Sequence, residues 1–125
     1  MNLLLDTHAL LWWLEDNPSL SREARAAISD GNRAVFVSAV TAWEIVIKKR
    51  LGKLDAPDTL EEALAANAFQ ELPVTIAHAL AAGALPAHHT DPFDRMLVAQ
   101  ATLENLTLVT RDENIQKYPV AIIAA

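Results

Sequence analysis

Short apolar runs alternate along the chain with longer segments in which apolar side chains recur every three to four positions. Asn2-Leu3-Leu4-Leu5, Ala34-Val35-Phe36-Val37, Leu106-Thr107-Leu108-Val109 and Val120-Ala121-Ile122-Ile123 are such runs. Near-continuous apolar character marks strands buried on both faces, hence parallel and interior. Glu71-Leu72-Pro73-Val74 reads as a further short strand, at a sheet edge because proline cannot donate to a neighbour. Helical patterning covers residues 7–15, 21–30, 38–51, 59–68, 76–82 and 93–105, and a helical turn leads to Tyr118. The punctuation agrees. Asn17-Pro18 breaks the first helix, Ser19 or Ser21 caps the second, and Thr59-x-x-Glu62 forms a capping box. Gly31, Gly52 and Gly83 fall at helix ends. Strands alternating with helices predict an α/β domain: a parallel sheet of four to five strands with helices on both faces.

A chain of 125 residues has room for one domain, 1–125, large enough to bury its own core. Hydrophobic residues make up 52% and charged residues 21%, which excludes disorder. The net charge is −6. A protein that grips nucleic acid by blanket charge is basic, so any nucleic-acid role must rest on a local site. The absence of cysteine excludes a disulfide scaffold, an iron–sulfur site, a zinc ribbon and a thiol nucleophile, and fits a cytoplasmic location. The longest apolar runs, 9–14 and 120–125, are six residues each, against roughly 20 for a spanning helix. The N-terminus lacks a basic region, and Asp6 and His8 interrupt its apolar stretch, so it reads as strand and helix rather than leader.

Several chemistries are missing. The chain has no glycine-rich nucleotide loop, no Gly-x-Ser-x-Gly elbow and no His-Glu-x-x-His. His88-His89 is the one histidine pair, and it reads as a solvated loop pair whose adjacent side chains diverge.

Four acids occupy equivalent places in the pattern. Asp6 ends the first strand, Glu44 lies early in the helix after the second, Asp94 opens the helix after the polar loop, and Asp112 follows the fourth run. Each can serve as a helix cap or first-turn acid. Together they would meet at the carboxyl edge of a parallel sheet, where open α/β sheets bind ligands. Carboxylates brought that close repel and raise one another's pKa, and a cation relieves the repulsion. Oxygen donors without cysteine or histidine select Mg²⁺ or Mn²⁺, the equipment for phosphodiester hydrolysis. Basic candidates for flanking phosphates are Lys48, Lys49, Arg50, Lys53, Arg95 and Arg111, of which Arg95 and Arg111 adjoin a site acid.

Four motifs stand out: Leu5-Asp6-Thr7-His8-Ala9-Leu10-Leu11-Trp12, Ser38-x5-Glu44, Asp91-Pro92-Phe93-Asp94-Arg95-x-Leu97-Val98-Ala99-x-Ala101 and Leu108-Val109-Thr110-x-Asp112. Together they resemble the PIN-domain family, and within it the VapC-type toxins. The resemblance spans essentially the whole chain. It implies an α/β/α sandwich and a Mg²⁺- or Mn²⁺-dependent endoribonuclease acting on RNA. It also implies a homodimer and a VapB-like antitoxin that inhibits it; that no membrane is a partner is expected from the short apolar runs. The family's acidic quartet falls on Asp6, Glu44, Asp94 and Asp112, serving as catalytic residues and metal ligands. Its hydroxyls fall on Thr7, Ser38 and Thr110, which would orient the carboxylates. Asp91 is extra and reads as the helix cap; His8 has no assigned role.

Two other classes compete. A phosphoacceptor receiver domain would need an acidic pair after the first strand, where this chain has Asp6 alone. A catalytically weak PIN-like binding module would keep the fold without the chemistry. The first helix carries a consecutive apolar run, Ala9 to Leu14, so at least one of Trp12 and Trp13 is expected to face outward and contact the antitoxin.

Overall fold

The computed structural model describes residues 1–125. Five strands, β1 (Leu3–Leu5), β2 (Val35–Ser38), β3 (Gln70–Leu72), β4 (Thr107–Thr110) and β5 (Ile122–Ala124), form one sheet in the order β3-β2-β1-β4-β5. Every pairing is parallel, with Leu4 opposite Phe36 on one side and Leu108 on the other. Six helices connect them: α1 (Thr7–Leu14), α2 (Arg22–Ser29), α3 (Ala39–Arg50), α4 (Leu60–Ala66), α5 (Ile76–Ala84) and α6 (Pro92–Leu103). The predicted α/β sandwich is observed.

The central strand shows why. Leu3, Leu4 and Leu5 are all buried, and successive side chains point to opposite faces. Leu3 and Leu5 join one core with Leu10 of α1, Ile28 of α2 and Ile45 of α3. Leu4 joins the other with Leu97, Val98 and Ala101 of α6. A strand apolar at every position therefore needs helices on both sides.

Some boundaries move. Pro73 lies just past β3, outside the ladder. Gly83 sits inside α5 rather than closing it. Thr59 makes no side-chain cap to α4, so its capping box is not formed. Left-handed residues at three helix ends are Asp16, Ala68 and Asn105; among the glycines only Gly52 adopts that conformation, after α3.

The sheet reverses direction at β1. The chain builds β2 and β3 to one side and then crosses to place β4 on the other. That switch point opens a crevice beyond the carboxyl ends of β1 and β4.

Candidate active site

The crevice has a volume of about 480 Å³, and its lining is almost wholly polar. Asp6 and Asp112 enter it directly from the ends of β1 and β4. Each is also a cap, and the two roles are compatible because a carboxylate has two oxygens. Asp6 Oδ1 accepts from the Ala9 N–H at 2.8 Å. Asp112 Oδ1 accepts from the N–H groups of Asn114 at 2.8 Å and Ile115 at 3.0 Å, while its Oδ2 faces the crevice. The Thr110 hydroxyl bonds to the Asp6 carboxylate and accepts from the Asp112 N–H at 3.1 Å, tying the two acids together.

Glu44 reaches the same space from α3 and is buried. The Thr7 hydroxyl donates to its Oε1 at 2.5 Å. Lys48, one turn on, donates to its Oε2. Thr41, one turn before Glu44, is buried inside α3 and its hydroxyl has no partner. Asp94 arrives on the first turn of α6, whose cap is Asp91 as expected, accepting from Phe93 N–H at 2.8 Å and Asp94 N–H at 3.2 Å.

Crowding shows in the proton affinities. Burial raises the pKa of Asp94 most; the negative charges of Asp91, Asp6 and Glu44 add to it, His89 opposes it, and the result is about 7. Burial likewise lifts Asp6 above the ordinary carboxylate range, against the hydrogen bonds from Thr110 and Ala9. Partial burial disfavours the Lys48 ammonium, but Glu44, with Asp91 and Asp94, outweighs it and raises its pKa.

His89 is not the solvated loop residue that the sequence suggests. The pair does diverge: His88 is exposed and packs edge-on against Tyr118 at 5.1 Å. The His89 side chain is only 10% exposed and its Nε2 lies 2.9 Å from Asp94 Oδ2 and 3.3 Å from Asp112 Oδ2. One signal pointed to it. A loop that feeds the helix carrying Asp94 must run along the same sheet edge, and two diverging neighbours there send one side chain inward.

The basic candidates separate. Arg111 lines the crevice; its Nη2 donates to the carbonyls of Ala125, at 2.7 Å, and Ser19, and its guanidinium stacks 4.5 Å above the Trp12 ring. Lys48 also lines it. Arg95 is not a free phosphate contact. Its guanidinium donates to the carbonyls of Ala82, Leu85, Pro86 and His89 at 2.8–3.2 Å, so it clamps the loop before α6. Lys49 turns away, donating to Ala56 O at 2.7 Å and to Asp58, whose carboxyl pKa it lowers. Arg50 and Lys53 line no part of the crevice. Ser38 is not seen orienting an acid; its hydroxyl caps α3 by accepting from Val40 N–H at 3.1 Å.

The tryptophan pair does not form an outward face. Trp13 is covered by the segment around α4: its Nε1 donates to Asn67 Oδ1 at 3.0 Å, and its ring lies 6.3 Å from Phe69. Trp12 lines the crevice between Arg111 and His8. Large exposed apolar side chains sit instead on α3 and α5: Trp43 is 62% exposed, Ile76 80% and Leu80 70%.

The residues present fit a hard divalent cation. Asp6, Glu44, Asp94 and Asp112 meet there with Asp91 beside them and Lys48 as the one ammonium among them, and burial first, then the neighbouring negative charge, raises the Asp94 pKa to about 7. Ligand atoms of His89, Asp94 and Asp112 lie within 4.8 Å of one another.

Comparison with solved structures finds the same architecture. VapBC2 from Rickettsia felis, bound to a DNA fragment from its promoter, matches with a TM-score of 0.71 at 16% identity, over 98% of both chains. A toxin–antitoxin complex from Klebsiella pneumoniae matches with a TM-score of 0.67 at 23% identity, over 98% of this chain and 97% of that one. Ribonuclease VapC16 of Mycobacterium tuberculosis is 47% identical over 36 residues, a stretch that spans 29% of this chain and about a quarter (26%) of that protein. The PIN domain family model matches residues 3–121. With that match covering nearly its whole length, and with the acids of its motifs gathered at the carboxyl edge of the sheet, the chain belongs to the PIN-domain family.

Proposed function

We propose that the protein is a Mg²⁺- or Mn²⁺-dependent endoribonuclease, the toxin of a toxin–antitoxin pair. The observation that carries this reading is the convergence of Asp6, Glu44, Asp94 and Asp112 in one crevice, with the pKa of Asp94 pushed to about 7. These four carboxylates would hold the cation. When bound, such a cation activates water and offsets charge on the scissile phosphate. The likeness to VapC16 and the toxin–antitoxin complexes supports RNA as substrate and an antitoxin as partner.

The chain's own groups divide the remaining work. Thr7 and Thr110 hold Glu44 and Asp6 in orientation. Arg111 is fixed through Nη2 alone, which leaves Nε and Nη1 to grip a phosphate beside the acids. Lys48 balances Glu44 and sits near enough to Asp91 and Asp94 to ease their repulsion. The local cation and these two bases answer the problem of an acidic protein binding a polyanion. A homodimer and an antitoxin both need exposed apolar surface, and Trp43 on α3 with Ile76 and Leu80 on α5 supplies it. The cytoplasm, where RNA and antitoxin would be met, is the proposed location.

The test is cleavage of a single-stranded RNA with Mg²⁺ and with chelator, wild type beside Asp6→Asn. Cleavage is expected from wild type with Mg²⁺ only. Equal cleavage by Asp6→Asn, or none by wild type, would contradict the reading.

A further inference from the structure

We propose that His89 is a positioning residue of this site: its imidazole, wedged between Asp94 and Asp112, sets the spacing of their carboxylates, and it is not itself a metal ligand. The inference rests on the metal-dependent reading of the crevice.

The first observation is placement. Asp94 comes from α6 and Asp112 from the end of β4, and no backbone element joins their side chains. His89 lies between them, with Nε2 2.9 Å from Asp94 Oδ2 and 3.3 Å from Asp112 Oδ2. The nitrogen is buried and has no in-line hydrogen-bond partner, yet both carboxylate oxygens lie within contact distance of it, so the ring stands between the two acids without being bound to either.

The second observation fixes which nitrogen carries the proton. His89 Nδ1 accepts from the Asp91 N–H at 3.2 Å. An accepting Nδ1 has its lone pair engaged, so the neutral ring carries its proton on Nε2. Nε2 is then a donor toward carboxylates. Metal ligation through it would require moving the proton to Nδ1, against the Asp91 N–H. Proximity alone suggests a three-residue ligand set of His89, Asp94 and Asp112; the tautomer argues for carboxylate ligands steered by an imidazole.

The third observation is how much structure holds the ring. The His89 N–H donates to the Tyr118 hydroxyl at 3.0 Å, and the His89 carbonyl accepts from Arg95 at 3.1 Å. Tyr118 in turn donates to Pro86 O at 2.6 Å, and Arg95 gathers the carbonyls of Ala82, Leu85 and Pro86. Arg95, one residue after Asp94, therefore reaches back to fix the loop that presents His89. Partners that orient metal-binding carboxylates typically contribute 10- to 100-fold in metal affinity.

The test is calorimetric titration of the full chain with Mg²⁺ and with Mn²⁺, for wild type, His89→Ala and His89→Gln. Glutamine keeps an N–H donor near the Nε2 position. His89→Ala is expected to lose about tenfold or more in affinity for both ions, by the same factor, and His89→Gln to recover most of it. Unchanged binding in His89→Ala would overturn the proposal. So would a loss much larger for Mn²⁺ than for Mg²⁺, since imidazole as a ligand favours the transition metal. Nitrogen-15 spectra of the wild-type histidines supply an independent readout that needs no variant. Nε2 of His89 should keep its proton at saturating Mg²⁺, and its loss would mark a ligand. Absence of Mg²⁺ binding by wild type overturns both this inference and the metal-dependent reading. Normal Mg²⁺ binding with the expected variant pattern but no RNA cleavage overturns only the ribonuclease reading.

Discussion

Two histidines in this molecule each accept a backbone N–H at Nδ1 and turn Nε2 toward a carboxylate, yet they stand in different surroundings. At the seam between α5 and α6, His78 Nδ1 accepts from Thr75 N–H at 3.1 Å and its Nε2 lies 3.0 Å from Glu104 Oε1. In the crevice, His89 Nδ1 accepts from Asp91 N–H and its Nε2 lies 2.9 Å from Asp94. The difference is the other side of the pair. Glu104 is half-exposed and stands alone, so water screens it and the pair closes a helix start. Asp94 is mostly buried and shares its crevice with four further carboxylates, so one imidazole cannot neutralise the group. A histidine–carboxylate contact thus becomes a site when uncompensated charge surrounds it, and otherwise remains a structural link.

Substitutions at the two places should separate cleanly. Replacing any of Asp6, Glu44, Asp94 or Asp112 with alanine should lower RNA cleavage by on the order of a thousandfold or more, about 4 kcal/mol in barrier terms. Circular dichroism should show the fold retained. His78→Ala should do the reverse. It leaves the Thr75 N–H and Gln100 without their partner in a buried place, and should cost about 2–3 kcal/mol of stability in urea unfolding with specific activity preserved. Loss of activity in folded His78→Ala would erase the distinction. Asp91→Asn should have the smallest effect, within about 0.5 kcal/mol of stability, because asparagine caps a helix as well as aspartate. Loss of cleavage as large as for Asp94 would make Asp91 a working member of the acidic group rather than its cap.

Much of this was legible in the sequence, for local reasons. Leu3, Leu4 and Leu5 announce a strand covered on both sides. Asp6 and Asp112 follow strands, Asp94 opens a helix and Glu44 lies in the second turn of one, and such positions converge at one sheet edge by topology. Lys48 was distinguishable from Lys49 by helix phase, since the residue four after Glu44 shares its face and the next is turned by about 100°. What stayed hidden depends on distant contacts. His89 is aimed by Tyr118, 29 positions away. Arg95 adjoins an acid in sequence, yet its guanidinium meets carbonyls that only the folded loop brings within reach. Trp13 is covered by Asn67 and Phe69, and nothing in the pattern of α1 foretells where α4 will lie.

The gathering of the acids for a cation can be measured through Asp94. A carboxyl with a pKa of about 7 in the folded chain and about 3.9 unfolded binds its proton more tightly when folded. Its contribution to the metal-free protein is therefore unfavourable above pH 7 and vanishes as pH falls below about 4, so stability rises on acidification through that window. Asp94→Asn removes the penalty, and at pH 8 it should stabilise the metal-free protein by roughly 2 kcal/mol, discounted from the full shift at 1.36 kcal/mol per pKa unit. The decisive measurement is the melting temperature of wild type and Asp94→Asn at pH 8, metal-free and with saturating Mg²⁺. Metal-free, Asp94→Asn should melt higher; with Mg²⁺ the order should reverse, because wild type alone has the full ligand set and gains by linkage. The same order in both conditions would contradict a crevice built around a cation.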